Sequence, residues 1–391
     1  MPITYKNYLF MYDPITLSRK LISFPSITPD CSDAINFISK VLENHGFTCN
    51  MLNYGNDNIQ VKNLYAQLGN TSPNLCFAGH TDVVPVGNLQ KWSFSPFSAT
   101  IHNNVLYGRG VVDMKAAICA FISAALNYKI TNGSISFIIT GNEEGTEYEY
   151  GTPAVLQWMT QNNKKIDFCI VGEPTSNLQV GDTIKIGRRG SITFHLTCHG
   201  IQGHVAYPQF AHNAINDIIY IIHKIKNIHL DHGNEYFQPS HCEITDINTK
   251  NTITNIIPDS VTAHFNIRFN NQHSAQSIFK IIDDICSSIT KKYSLSYKLS
   301  AEPFISNPNK YTHALVSVIK ETTDQEVVLS TSGGTSDARF IKNFCTVAEL
   351  GLLNKTAHKI NESAPVSDII LLSTIYKNFI ERFFSMHNNT C

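Results

Sequence analysis

The stretch "LCFAGHTDVVPVG", Leu75 to Gly87, sets the terms on which the rest of the chain is read. A short apolar run ends in a histidine and a carboxylate two positions apart. Side chains alternate along an extended segment, so His80 and Asp82 face the same way and a strand ending here delivers both to one place. Taken alone, the pair has a plainer explanation. Asp82 caps a turn before Pro85, and His80 is an ordinary polar residue at a strand end. The surrounding sequence separates the two.

Working outward, short apolar runs alternate with helix-like stretches from Asn63 to about Arg189: "NLCFA", "MKAAICAFISAAL", "SISFIIT", "AVLQWM" and "FCIVG". Near-continuous apolar strands separated by helices predict an α/β domain whose central sheet is mostly parallel and covered on both faces. The next stretch has a different order. "SITFHLTCHG", a helical "NAINDIIYIIHKI", "HCEITDI", "VTAHFNIRF", a helical "QSIFKIIDDICSSI" and "YSLSYKLS" run β-α-β-β-α-β, the ferredoxin-like signature. After about Pro303 the chain is expected to rejoin the first domain, with a helix near "HALVSVIK", a Gly-rich turn and a last helix from about Ser367 to Phe384. The predicted division is therefore 1–189 with 303–391 as one domain and 190–302 as an inserted one.

With 391 residues the chain is long enough for two domains. Thirty basic against thirty-one acidic residues leave a formal charge of −1, which gives no sign of a nucleic-acid or polybasic membrane surface. Ten cysteines include no C-x-x-C pair, and several lie in apolar runs, as reduced core residues of a cytoplasmic protein do. No signal-like N-terminus and no long apolar run is present, so neither export nor a membrane span is expected. Small-molecule chemistry is the class that remains.

Other acidic and histidine positions repeat the opening geometry. Asp113 sits where the Gly-rich "LYGRGVV" enters a helix, a place also suited to an N-cap. Glu143 and Glu144 follow the run "SISFIIT", where two adjacent carboxylates would ordinarily be left solvated. Glu173 follows "FCIVG" and is held extended by Pro174. His358 lies in "LNKTAHKINE". Most of these groups fall at the C-terminal ends of strand-like runs, where open α/β sheets place their sites. Two histidines and several carboxylates without a thiolate suit a hydrolytic site for zinc, manganese or cobalt. The set exceeds what one catalytic ion takes, so two ions sharing a carboxylate fit better, with one carboxylate left over as a base.

The ordered motifs "GHTDVVP", "LYGRG", "DMK", "NEEG", "CIVGEP", "GRRGS", "GIQGHVAYP", "NIIP", "GGTSDAR" and "HKINE" resemble those of the M20 metallopeptidase family over nearly the whole chain. The resemblance implies a zinc-peptidase-like catalytic domain with a ferredoxin-like lid and dimerisation domain. It implies two zinc ions per subunit, with cobalt or manganese as substitutes: His80, Asp113 and Glu173 on one, Asp113, Glu144 and His358 on the other. Glu143 would be the general acid/base, and Asp82 would hydrogen-bond and orient His80. The partner subunit of a homodimer would receive His204 as oxyanion donor. Arg188, Asn255, Arg268, Thr335 and Asn354 would meet a small substrate bearing several carboxylates, as guanidinium forks and amide or hydroxyl donors do. The implied reaction releases succinate from N-succinyl-LL-2,6-diaminopimelate, supplying diaminopimelate for lysine and cell-wall synthesis.

Five features depart from the family pattern. Asn142 stands where Asp is usual, and "TEYEYGT" after the Glu pair is longer by about a residue. "ELGLLNKTAH" and Ala338 in "SDAR" are also uncommon, and Met1 to about Pro14 reads as an extension without a clear role.

Overall fold

The computed structural model describes residues 12–388. Most of the expected N-terminal extension lies outside these residues. Its end is built into the fold: Asp13 accepts hydrogen bonds from the backbone N–H groups of Ile15 (3.1 Å) and Thr16 (3.0 Å), capping the helix Pro14–Ile22.

The chain divides into two compact units. One runs up to Ile186 and adds Ser306–Leu329 and the chain from Ser336 onward, and the other is Gly187–Ile305 with Ser330–Thr335. The short Ser330–Thr335 segment, expected from sequence to stay with the first domain, groups with the inserted unit.

In the first unit an eight-stranded sheet has a parallel centre. Ser134–Thr140, Asn74–His80, Phe168–Val171 and Thr346–Glu349 lie side by side in that order, each parallel to the next. Every residue of Ser134–Thr140, Asn74–His80 and Phe168–Val171 is buried, because helices cover both faces. Towards one edge, Gln60–Leu68 pairs antiparallel with Ser134–Thr140 and Thr48–Gly55 pairs antiparallel with it in turn. The helix Ala116–Leu126 is buried on almost every side, which is why "AAICAFISAAL" lacks a polar face. Its small residues admit close neighbours. Ser373, on the final helix Val366–Asn388, donates to the Ala120 carbonyl at 2.9 Å, and Phe121 and Tyr376 meet edge to face.

The second unit has the ferredoxin-like arrangement. Its antiparallel sheet runs His241–Asn248, Ser260–Phe269, Gly190–His199, Tyr293–Ala301, with the helices Ala214–Lys226 and Ala275–Ile289 packed on one face. Ser260–Phe269 alternates strictly between half-buried and buried residues, as a strand with one wet face must.

Candidate metal centre

Parallel strands in one sheet bring their C-terminal ends together, and that edge of the first unit carries the site. His80 is the last residue of Asn74–His80, in register with Thr140 of the neighbouring strand. Glu143 and Glu144 follow Thr140, and Glu173 follows Val171 on the other side. His358 lies on a loop beyond Thr346–Glu349, at φ 60°, a left-handed conformation that a non-glycine residue adopts only when its surroundings impose it. Asp113 does not cap the helix that follows. Its backbone is extended (φ −123°, ψ 91°), and the carboxylate is turned to the two histidines.

The side chains form two groups that share Asp113. His80 Nε2 lies 3.1 Å from Asp113 Oδ1 and 3.9 Å from Glu173 Oε1. His358 Nε2 lies 3.0 Å from Asp113 Oδ2 and 2.8 Å from Glu144 Oε1. Each Asp113 oxygen thus faces a different imidazole. The ligand atoms of His80, Asp113 and Glu144 also lie within 4.8 Å of one another, so the two groups are contiguous.

The electrostatics follow from the crowding of these groups. Burial opposes charge on His80, but its hydrogen bond to Asp113 and the charges of Asp113, Asp82 and Glu143 raise it well above the usual histidine range. Hydrogen bonds to Asp113 and Glu144 raise His358 to about 10. Burial would raise Asp113, yet the hydrogen bonds from His358 and His80 hold it well below an ordinary aspartate. Glu173 is pushed up by burial and by the charges of Asp113 and Glu143. Glu143 is raised by burial and, against the pull of His80, by Asp337, Glu144 and Asp113. Carboxylates crowded together demand positive charge, and the upward shifts of both imidazoles express that demand. A divalent cation would meet the same demand with both histidines neutral, and an N/O donor set without thiolate fits zinc, manganese or cobalt.

Asp82 corrects one expectation. The atom that faces His80 Nδ1 at 2.9 Å is the backbone carbonyl of Asp82, while the nearer carboxylate oxygen is 3.6 Å away. The carboxylate instead accepts from the backbone N–H groups of Glu143 (3.1 Å) and Glu144 (3.0 Å) and from Thr28 Oγ1 (2.7 Å). It sets the turn that carries the Glu pair. Asn142 closes the same turn by donating from Nδ2 to the Glu147 carbonyl at 2.7 Å, a bond an aspartate lacks the hydrogen to make.

The remaining expected residues are placed in smaller sets. Arg188 is buried in the second unit, with Nη1 3.4 Å from the Ser332 carbonyl. Gly333 (φ +105°) has no room for a side chain, since a Cβ there would lie 2.4 Å from Arg188 Nη1, and Thr335 ends this segment. His204 is exposed and pairs through Gly203–His204 with Ile256–Ile257, which brings Asn255 beside it. Arg268 lies between Ser191 and His241 on neighbouring strands, its Nε donating to Asn266 Oδ1 at 3.0 Å. Asn354, in the first unit, is tied by its backbone N–H to the Ser176 carbonyl at 3.1 Å.

Two residues without an assigned role in the sequence are prominent. Glu362 is fully buried and accepts from Arg109 Nη1 at 2.8 Å and from the backbone of the segment that carries Asp113. A buried Arg and Glu in "LYGRG" and "HKINE" are the only signal the sequence offers, and burial is not legible there.

Residues 76–382 match the description of Peptidase family M20/M25/M40. The chain belongs to this family. It is 61% identical over 376 residues to the succinyl-diaminopimelate desuccinylase of Ehrlichia canis (strain Jake), covering 96% of this chain and 99% of that protein. Among solved structures, an M20 metallo-carboxypeptidase, Sso-CP2 of Sulfolobus solfataricus, superposes with a TM-score of 0.74 at 17% identity, covering 95% and 99% of the two chains. The Bacillus subtilis YXEP protein, described as a dinuclear metal-binding M20 peptidase, gives 0.67 at 14% identity, covering 95% and 98%. These two likenesses concern the M20 fold alone.

Proposed function

We propose that this M20 chain hydrolyses N-succinyl-LL-2,6-diaminopimelate to succinate and LL-2,6-diaminopimelate, in diaminopimelate and lysine biosynthesis. The observation that carries the reading is the pair of histidine–carboxylate groups sharing Asp113, with Glu143 next to them and unused by either. The high identity to the Ehrlichia desuccinylase supports the choice of substrate.

On this reading His80, Asp113 and Glu173 would hold one zinc ion and Asp113, Glu144 and His358 a second, with cobalt or manganese as substitutes. The chemistry such ions would supply is Lewis acidity toward a water and the scissile amide carbonyl. Glu143, which bonds to neither histidine group, takes the proton from the attacking water and passes it to the departing amine nitrogen. Asp82 keeps Glu143 in place through its backbone N–H. Arg188, Asn255, Arg268, Thr335 and Asn354 bind the substrate carboxylates. The active form is a cytoplasmic homodimer in which the second unit serves as lid and dimer contact. His204, exposed among exposed Val205, Tyr207 and Phe210, donates to the developing oxyanion in the partner's site. No helix among the described residues is long and apolar enough to cross a membrane.

The test is a panel assay of the zinc-loaded protein with succinyl-diaminopimelate, acetylornithine and dipeptides. Hydrolysis of the first far above the others is expected. A higher kcat/KM for a dipeptide or for acetylornithine overturns the assignment.

A further inference from the structure

The segments that carry His80, Asp113 and His358 come from distant parts of the sequence, yet one buried ion pair touches all three. Arg109 donates from Nη1 to Glu362 Oε2 at 2.8 Å and to the Lys359 carbonyl at 3.2 Å, next to His358. From Nη2 it donates to the Pro85 carbonyl at 3.3 Å, on the segment that follows His80. Its guanidinium lies 5.3 Å from the Trp92 ring centroid. Glu362 accepts from the backbone N–H groups of Gly110 (2.9 Å), Val112 (2.8 Å) and Asp113 itself (3.3 Å). In the other direction, the Gly108 N–H donates to the Glu362 carbonyl at 3.0 Å. Gly110 is at φ +82°, and a Cβ there would lie 2.5 Å from Val83 Cγ1, so the backbone that wraps the carboxylate tolerates no other residue without moving.

We infer that Arg109 and Glu362 are positioning residues for the metal centre: together they clasp the three ligand-bearing segments and fix where the Asp113 carboxylate stands relative to His80 and His358. Neither offers an atom to an ion. A carboxylate that receives three backbone N–H groups dictates the path of the loop more firmly than packing does, since each donor left without its acceptor in the interior is costly. The inference rests on the two-ion reading given above.

The experiment is Co²⁺ titration of the metal-free full chain, followed by visible absorption and by calorimetry. Wild type is compared with Glu362→Gln, which keeps the shape but turns an NH₂ group toward backbone donors, and with Arg109→Lys, which keeps the charge but loses the fork. Binding weaker by on the order of 10–100-fold is expected in Glu362→Gln, with an altered cobalt spectrum, and a smaller loss in Arg109→Lys. Excess Co²⁺ should restore most of the turnover. A role in folding alone predicts a lower Tm with unchanged cobalt affinity and spectrum per folded molecule, and that outcome in either variant overturns the clasp. If Glu362→Gln does not fold, Arg109→Lys decides by the same criterion. Fewer than two ions on wild type would overturn the two-ion reading instead, and the difference between variant and wild type would still judge the clasp on whatever ions bind.

Discussion

The two sheets of this protein follow opposite rules. In the inserted unit Ser260–Phe269 alternates between core and solvent, and its core is built of apolar side chains such as Phe194, Phe265 and Ile267. In the first unit the central strands are buried on both faces and show no alternation, and charged groups gather just past their ends, largely buried and facing one another. One region uses polarity to mark its surface. The other buries it, at a cost in stability, where chemistry requires it. On that contrast, variants in the first unit should lose rate or metal while the fold persists, and core variants in the second should lose stability while the metal stays.

Glu143→Gln should give the largest effect. The carboxylate bonds to neither histidine group, so metal content should stay at the wild-type value while turnover falls by roughly 10²–10⁴-fold, the usual worth of a general base. Metal analysis and rate are measured on one preparation. Near wild-type turnover would remove Glu143 from the mechanism.

Phe265→Ala probes the other side of the contrast. Phe265 is fully buried and stacks on Phe194 with ring centroids 5.1 Å apart. Its loss should destabilise the inserted unit by about 3–5 kcal/mol through transfer and cavity terms. Urea unfolding followed by amide exchange should place the loss in residues 190–301, with metal affinity of the folded protein unchanged. A fall in metal affinity of similar size would show that the units do not divide the labour this way.

Asp82→Asn should have an intermediate effect and separates two roles. An asparagine offers one acceptor oxygen and turns an NH₂ group toward the N–H groups of Glu143 and Glu144, leaving buried donors unpaired at a cost of ~1–3 kcal/mol. Turnover should drop by roughly ten- to a hundredfold as the Glu pair shifts. Metal on the His80 side should be retained, because the imidazole rests on the Asp82 carbonyl, which the substitution keeps. Selective loss of that ion would return the orienting role to the carboxylate.

These variants also show where the sequence was legible. The ferredoxin-like unit could be read from order and alternation, since a wet face writes a period of two into the strand. The parallel centre could be read only from run length and apolar content, and the antiparallel edge Thr48–Gly55 and Gln60–Leu68 is harder to read, because nothing in "TCNMLNYG" distinguishes an edge strand from a loop with apolar residues. The acidic and histidine positions stood out because charge interrupts apolar runs. What those charges touch did not. That Asp82 meets Glu143 and Glu144 through their backbone depends on how two loops from separate strands cross, and that Glu362 receives three N–H groups depends on the left-handed turn at Gly110. Side-chain types suggest a site, and backbone paths decide who holds whom.

The smallest predicted effect tests whether the inserted unit has a polar exception of its own. Asp231 is a buried carboxylate there, and although burial raises its pKa, hydrogen bonds from the Ser240 side chain, the backbone N–H groups of Gly233 and Ser240, and Asn270 hold it below the usual aspartate range. His273 Nε2 approaches at 3.3 Å. The folded value is depressed relative to the unfolded one of ~3.9, so the contribution to stability is present above that pH and is lost as pH falls through the folded value. Asp231→Asn should therefore be less stable than wild type at neutral pH. The gap should narrow on acidification below about pH 4, where the wild-type carboxylate takes up its proton. Amide exchange at Gly233 and Ser240, whose N–H groups donate to it at 2.8 and 3.2 Å, is the local readout. A gap between the two proteins that stays constant down to pH 2–3, roughly a unit or more below an ordinary aspartate pKa, would mean that Asp231 acts through shape and not through charge.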